Sequence, residues 1–314
     1  MHTVFAGVDA LLASGKTFSK PVLTIGNFDG VHLGHQELIS KTLEVARAAT
    51  APALAMTFRP HPRSVLKAGE EPALLLTYDE KNQHLKRLGL DAVIEEPFGR
   101  EFSNLTAERF FYDYLLKRLS IQALVVGYDF GFGKEREGSQ KVLQELCNQH
   151  GVKLVMVPAF QKNGATISSS KIRQFLANGE LEQARDFLGY SFYYKNTVIR
   201  GEQRGRKIGF PTANQQVIEK VVLPYGVYAT RTLLKDRVYP SVTNLGVRPT
   251  FNSPEADVEA LVETHLIGET IDLYGSVIEV QFIKKIRSEQ KFSGIDALKA
   301  QIQADLKVAL SLQQ

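Results

Sequence analysis

Two textures of apolar and polar positions divide the chain. Up to about residue 185, short apolar runs such as PVLTI, PALAMTF, DAVIEEP, ALVVGYDF and KLVMVPAF alternate with longer segments of helical period: HQELISKTLEVARAAT, DEKNQHLKRLG, AERFFYDYLLKRL and QKVLQELCNQHG. In HQELISKTLEVARAAT, Leu38, Ile39, Leu43, Val45 and Ala46 fall near a 3.6 period. This alternation predicts βαβ units around a parallel sheet. Two short helices, SSKIRQFLANG and LEQARDFLG, follow, each closed by a glycine. From Tyr190 onward the pattern turns to strands, SFYYKNTVIRG, YGVYATRTLL, DRVYPSVTNLG, ALVETHLIG and VIEVQFIKKIR, before an amphipathic segment, GIDALKAQIQADLKVALSL. That half reads as an antiparallel barrel capped by a helix. The boundary falls near Phe187 to Ser191, giving domains of residues 1–186 and 187–314.

Composition narrows the setting. The 314 residues suit about two domains, and 44% apolar residues are ample for two cores. A single cysteine, Cys147, excludes a disulfide framework and fits a reducing compartment. The first segment, MHTVFAGVDALLASGKTFSK, lacks a basic start and is broken by Asp9, and no apolar run reaches membrane-spanning length. The expectation is a cytoplasmic chain without a membrane partner. A net charge of +4 suits anionic small molecules and is too diffuse to argue for nucleic acid.

GNFDGVHLGH, residues 26–35, joins the strand PVLTI to a helix and carries His32 and His35. Zinc is poorly served by two imidazoles with no cysteine nearby and no HExxH pattern. The glycines Gly26, Gly30 and Gly34 do not make G-x-G-x-x-G. In GYDFGFGKEREG, Glu135 stands where a P-loop needs Ser or Thr, and Gly127 to Gly133 is one residue too long. What remains is a glycine-rich strand-to-helix turn, whose free N–H groups and positive dipole favour an anion, with two imidazoles three residues apart facing it. ISSSKIR, with Ser168, Ser169, Ser170, Lys171 and Arg173, adds hydroxyls and a guanidinium at a second helix start. One serine is explained as a cap, whereas three with an arginine make a second phosphate clamp. Two clamps in one α/β domain point to a triphosphate.

GNFDGVHLGH and ISSSKIR resemble the two signatures of the HxGH nucleotidyltransferases. Together with GEQRGRKIGFPTAN, the whole chain resembles the bacterial bifunctional riboflavin kinase/FMN adenylyltransferase family. The resemblance implies a Rossmann-like nucleotidyltransferase domain with a parallel sheet, followed by an antiparallel β-barrel kinase domain with a terminal helix. It implies ATP as co-substrate with Mg²⁺, riboflavin phosphorylated to FMN, and FMN adenylylated to FAD with loss of pyrophosphate. On the adenylyl side it points to His32, His35 and Arg173 for transfer, to Gly26, Asn27, Phe28, Ser168, Ser169 and Ser170 for ATP, and to Asp129 for the flavin. A turn-forming Asx residue is the lesser of two readings of Asp129. Adenylyl transfer needs no base, because a phosphomonoester has its second pKa at about 6.

Phosphorylating a neutral alcohol does call for a base. Glu263 in LVETHL shares a strand face with apolar Leu261, an unusual place for a solvent-facing carboxylate, and the resemblance points to it as well. Thr212 and Asn214 in GFPTAN offer neutral oxygens that suit Mg²⁺. Gly201, Gly205 and Gly209 with Arg206 and Lys207 read alone as a basic surface loop and, with the PTAN ending, as a nucleotide-covering segment, while Arg287 falls in the family's second flavin loop, where a solvated charge is an equal reading. Three positions depart from the family pattern: Arg59 stands in FRPHP where an acid is usual, Gly131 stands where Arg is common, and HLIGETIDLYG lacks Asp-Phe. A relocated charge, from position 131 to Arg59, is the expectation these carry. A class I synthetase would need a lysine-rich second signature and a further domain, and a flavin-binding module would not need Glu263, Thr212 or Asn214. The sequence sets no oligomeric state.

Overall fold

Val22, Leu23, Thr24 and Ile25 are all buried, the mark of a parallel strand covered on both faces. The computed structural model, which describes residues 3–67, 71–201, 204–247 and 260–313, places this strand near the middle of a six-stranded sheet. The chain divides into two units, Met1–Ser169 and Ser170–Gln314.

The first unit runs β1 (Thr3–Phe5), α1 (Val8–Ala13), β2 (Val22–Ile25), α2 (Leu33–Ala48), β3 (Ala53–Arg59), α3 (Tyr78–Arg87), β4 (Ala92–Pro97), β5 (Ala123–Gly127), α4 (Gln140–Gln149) and β6 (Lys153–Val157). A small hairpin, β7 (Gln161–Lys162) and β8 (Ala165–Thr166), closes it. The strand order is β1-β4-β3-β2-β5-β6, and every pair is parallel. Connections from β2 therefore run toward β3 on one side, and β5 lies on the other. That is a topological switch point, and open α/β sheets bind ligands outside the carboxyl ends of such strands. The helix expected in AERFFYDYLLKRL is one α turn, Ala107–Arg109, followed by a π-helix, Phe110–Arg118. The wider turn brings Phe110, Phe111 and Leu115 onto a narrower arc, and all three are buried in the core.

The second unit continues with α5 (Ser169–Asn178), α6 (Leu181–Leu188), β9 (Tyr193–Thr197), α7 (Arg204–Lys207), β10 (Ala213–Gln216), β11 (Gly226–Leu234), β12 (Arg237–Val247), β13 (Ala260–Leu266), β14 (Val277–Arg287) and α8 (Ile295–Ser311). Its strands are ordered β10-β13-β12-β11-β14-β9, all antiparallel. A bridge between Ile199 and Asn214 brings the two edges together into a barrel. The strand β10 escapes a hydrophobicity reading because its sequence, ANQQ, is polar. It is buried all the same, since Gln215 Nε2 donates to the Asn196 and Ile278 carbonyls at 2.7 and 3.0 Å. The barrel's apolar centre is aromatic: Tyr194 and Tyr228 each meet Phe282 edge-on at 5.2 Å. Outside the barrel, Ala309 of α8 packs on Val227, Ala229 and Val242.

Five buried hydroxyls run across three strands inside the barrel. Thr232 meets Ser241 at 2.8 Å, Ser241 meets Thr230 at 2.7 Å, Thr230 meets Thr243 at 2.8 Å, and Thr243 meets Thr264 at 2.9 Å. Each hydroxyl has one proton to give, so the chain is satisfied only as a unit. Replacing Thr243 by Val leaves both Thr230 and Thr264 short of a partner. The expected loss is about 2 kcal/mol of unfolding free energy, whereas Thr243→Ser, which keeps the hydroxyl, loses less than about half of that. Thermal unfolding of the two variants checks it: equal losses would show that the hydroxyl chain is worth no more than the one methyl group, which contradicts the unit.

Candidate active sites

The turn after β2 is built from the sheet outward. Gly26 N–H still donates to Met56 O at 3.1 Å, continuing the ladder by one residue. Beyond it the backbone is held by side chains. Thr57 Oγ1 donates to Asn27 O at 3.1 Å, and Asp29 Oδ1 accepts from Leu75 N–H at 3.0 Å and Leu76 N–H at 3.4 Å. Phe28 and Val31 take positive φ angles of 51° and 33°, a conformation that persists only where the surroundings over-determine it. Phe28 is wholly buried, its ring edge-on to His35 at 5.4 Å, so it forms the shelf under the turn.

His32 and His35 do not share a helical face in the simple sense that their spacing predicts. His32 is the N-cap of α2, and its Nδ1 accepts the His35 N–H at 3.3 Å. That bond puts the neutral ring's proton on Nε2. The two rings stack at 3.6 Å with an interplanar angle of 13°. Burial pushes the His35 pKa well below the ordinary histidine value, and any positive charge on the neighbouring His32 or Lys81 pushes it the same way. His35 is therefore neutral at pH 7, and its buried Nδ1 has no hydrogen-bond partner among the described residues. A neutral imidazole still offers one N–H to an anion.

Ser169 opens α5, and its hydroxyl donates to Asp29 O at 2.9 Å, joining the second signature to the first turn. Ser168 precedes it, Ser170 follows it, and Arg173 lies one helical turn on from Ser169. Asp129 is exposed after β5, with its carbonyl accepting from Arg136 Nη2 at 2.8 Å. The Arg136 guanidinium also stands over Gly131, where an added Cβ would come within 2.8 Å of its Nε. The positive charge near position 131 thus comes from five residues along the same loop. Arg59 is engaged elsewhere, 3.5 Å from Glu95 and 4.7 Å over the Tyr78 ring.

Lys81 carries no motif and was not legible in the sequence. It is buried, its Nζ donates to Thr57 Oγ1 at 2.9 Å, and with Asn27, Asp29, His61 and Tyr78 it lines a small cavity beneath the turn. A chain of two hydrogen bonds, Lys81 to Thr57 to Asn27 O, connects it to the turn.

In the second unit the register makes the site. Asn214 of β10 and Asn244 of β12 both sit directly across from Glu263 of β13, so three polar side chains share one row and one face. Leu261, Glu263 and His265 are half-buried while Val262, Thr264 and Leu266 are buried, the alternation that the LVETHL pattern implies. Asn214 Oδ1 is buried and has no hydrogen-bond partner among the described residues, and its Nδ2 lies 3.5 Å from Thr212 O. A buried amide carbonyl oxygen left without a partner, two residues along from a threonine, is a neutral-oxygen donor of the kind Mg²⁺ accepts. A Cβ at Gly201 would lie 2.5 Å from the Asn214 amide, and one at Gly205 would lie 2.3 Å from Phe210 O. Gly209 serves differently, with φ at 94°. Arg206 is exposed on α7, and the Lys207 side chain lies outside the described residues. Arg287 forms a bidentate pair with the buried Asp305 of α8, with Nη2 to Oδ2 at 2.9 Å and Nε to Oδ2 at 3.0 Å. It tethers the terminal helix to the strand end. Glu289 sits over Gly246, beside Asn244. Sequence patterning gave no signal for Asn244, Glu289 or Asp305.

A glycine-rich turn feeding a helix at a parallel-sheet switch point, followed by a barrel with a carboxylate beside a neutral-oxygen pair, defines a two-unit enzyme class of ATP-dependent phosphate chemistry. The FAD synthetase family model matches residues 15–171, and the riboflavin kinase family model matches residues 188–313. The bifunctional riboflavin kinase/FMN adenylyltransferase of Escherichia coli is 41% identical over 90% of this chain and 90% of its own. The Bacillus subtilis protein of that name is 37% identical over 93% of this chain and 92% of its own. A solved structure from Streptococcus pneumoniae, described as a macrolide-efflux protein, has a TM-score of 0.86 at 29% identity and covers 98% of both chains. No helix among the described residues of the present chain is long and apolar enough to cross a membrane. The chain belongs to the bifunctional riboflavin kinase/FMN adenylyltransferase family.

Burial holds the Lys81 ammonium down to about 8, against the opposing pull of Glu95 and Asp29. Between that value and the ordinary lysine pKa near about 10.4, the unfolded chain binds more protons than the folded one, so this group's contribution to stability rises with pH. Lys81→Met, equal in length and uncharged, should stand best relative to the parent at pH 7 and lose ground by pH 10. Thermal midpoints of both proteins across that range test it, and a constant difference would contradict a buried ammonium.

Proposed function

We propose that the first unit transfers the adenylyl group of ATP to the phosphate of FMN, releasing pyrophosphate, and that the second transfers the terminal phosphoryl group of ATP to the primary alcohol of riboflavin. The observation that carries this reading is the row formed by Asn214, Glu263 and Asn244. A carboxylate beside an unpartnered amide oxygen is a base beside a cation-binding position. Glu263 takes the proton of the attacking alcohol. Thr212 Oγ1 and Asn214 Oδ1 would hold Mg²⁺, which when bound neutralises charge on the nucleotide phosphates. Gly201, Gly205 and Gly209 shape the segment over the nucleotide, with Arg206 and Lys207 as its cations. Arg287 serves the flavin side through Asp305, by fixing the segment that follows β14.

On the adenylyl side the nucleophile is already anionic, so catalysis is positioning and charge stabilisation. Neutral His35, stacked on His32, donates to the developing charge without binding a proton of its own. Ser168, Ser169 and Ser170 supply hydroxyls at the start of α5, and Arg173 supplies the charge one turn later. Gly26 and Asn27 bring the backbone to the nucleotide over the Phe28 shelf, and Asp129 lies on the flavin side. The substrates are riboflavin, FMN and ATP, the product is FAD, and the reaction partners include neither nucleic acid nor membrane. The cytoplasm is the proposed compartment, supported by the lone Cys147, whose thiol burial pushes up to about 11.

The functional boundary is proposed at 186/187, and α6 counts structurally with the second unit, because it contacts β14 and sets its buried Phe187 edge-on to Phe175 of α5 at 5.2 Å.

Incubation with riboflavin, ATP and Mg²⁺, followed by chromatography of the flavins, tests the reading. His35→Ala and Arg173→Ala should each lower FAD formation by about two to three decades while FMN formation stays near the parent rate. Glu263→Gln should do the reverse, lowering FMN formation by about 10²–10⁴-fold with FAD formation from supplied FMN intact. Either variant failing in both reactions, or in neither, contradicts the assignment. A fragment of residues 170–314 should phosphorylate riboflavin and make no FAD, and one of residues 187–314, stripped of most of α6, should unfold at a lower temperature than the longer fragment.

A further inference from the structure

Glu263 is not the only titratable side chain on its strand face. His265, two residues along β13, is half-buried on the same side, and its Nδ1 lies 2.8 Å from Pro211 O. A carbonyl oxygen can only accept, so this bond requires Nδ1 to carry the proton. Pro211 has no N–H, which leaves its carbonyl as the single main-chain group by which that residue can be anchored. The residue before it is anchored too: Phe210 N–H donates to Gly205 O at 2.9 Å, and the Phe210 ring meets the His265 imidazole edge-on at 5.7 Å. The residue after Pro211 is Thr212, and Asn214 follows two further on with its unpartnered Oδ1.

We propose that His265 is a positioning residue for the kinase reaction: its Nδ1–H holds the Pro211 carbonyl, and so sets the Thr212 hydroxyl and the Asn214 amide at the separation a divalent cation needs. The inference rests on the reading of Thr212 and Asn214 as the cation's ligands. One strand then carries both the base and the clamp that orders the metal-binding segment, and the two keep their spacing because both are fixed to the same ladder. His265 touches neither substrate nor metal in this scheme.

The test uses the full chain. In protein labelled with ¹⁵N-histidine, the signal absent from His265→Asn identifies His265, which should show the Nδ1–H tautomer in the parent. An Nε2–H tautomer overturns the proposal whatever the variants do. Riboflavin phosphorylation is then titrated with Mg²⁺ at saturating ATP. His265→Gln, whose amide reaches the place of Nε2, and His265→Leu should each raise the half-saturating Mg²⁺ concentration about tenfold, with most of kcat recovered at high Mg²⁺. His265→Asn, whose amide nitrogen falls near the place of Nδ1, should stay within about twofold of the parent. If Asn is as impaired as Gln, or if Gln and Leu leave the Mg²⁺ requirement unchanged, the clamp is wrong. Thr212→Ala, run in parallel, separates the two layers. A shifted Mg²⁺ requirement in Thr212→Ala alone overturns the role of His265 and keeps the ligand reading. No shift in either overturns both.

Discussion

Buried backbone N–H and C=O groups have to be paired, and the two sheets of this protein meet that demand with ladders whose ends and faces fix where chemistry can occur. In the first unit the parallel ladder stops at Gly26, one residue past β2. The next backbone groups are satisfied by Thr57 and Asp29 rather than by a strand, and the turn so held presents the start of α2. In the second unit the ladder does not stop at the site. Its antiparallel register sets Asn214, Glu263 and Asn244 side by side, and the pleat puts them on one face. The same arithmetic sends Val262 and Thr264 inward, where Thr264 ends the hydroxyl chain.

These two arrangements suit the two reactions. Transfer to an anionic phosphate calls for donors in fixed places, and in the stacked imidazole pair His35, whose basicity burial lowers, is a donor that stays neutral at pH 7. Transfer to an alcohol calls for a proton acceptor close to a cation position, and cross-strand neighbours are held at close spacing without any loop having to order first. The family's division into a FAD synthetase part and a riboflavin kinase part follows the same line.

Much of this was legible in the chain. Periodicity gave the parallel sheet, the antiparallel barrel and the terminal helix, and the strand-to-helix turn at GNFDGVHLGH was readable from its bounding glycines. The alternation of Leu261, Glu263 and His265 against Val262, Thr264 and Leu266 was legible from LVETHL. Other features were hidden for physical reasons. The strand at 213–216 is polar because Gln215 pairs with backbone inside the barrel and Asn214 faces Glu263, so hydrophobicity could not reveal it. Lys81 and Asp305 look like solvated charges in a sequence, and only the fold shows that Lys81 is buried under a turn and Asp305 against Arg287. The charge near Gly131 was expected from Arg59, far along the chain, whereas Arg136 supplies it locally through a loop conformation that no periodicity encodes. His32 as a cap rather than a helical residue is a matter of one turn's geometry.

On the function proposed, the barrel face holding Asn214 and Glu263 is a cation position beside a base. A crystal structure of the full chain with ADP, Mg²⁺ and riboflavin tests it most directly. A metal ion is expected at about 2.1 Å from both Asn214 Oδ1 and Thr212 Oγ1, with the Glu263 carboxylate within hydrogen-bonding distance of the riboflavin primary alcohol. A metal bound without either oxygen, or an alcohol that lies out of reach of Glu263, would contradict it.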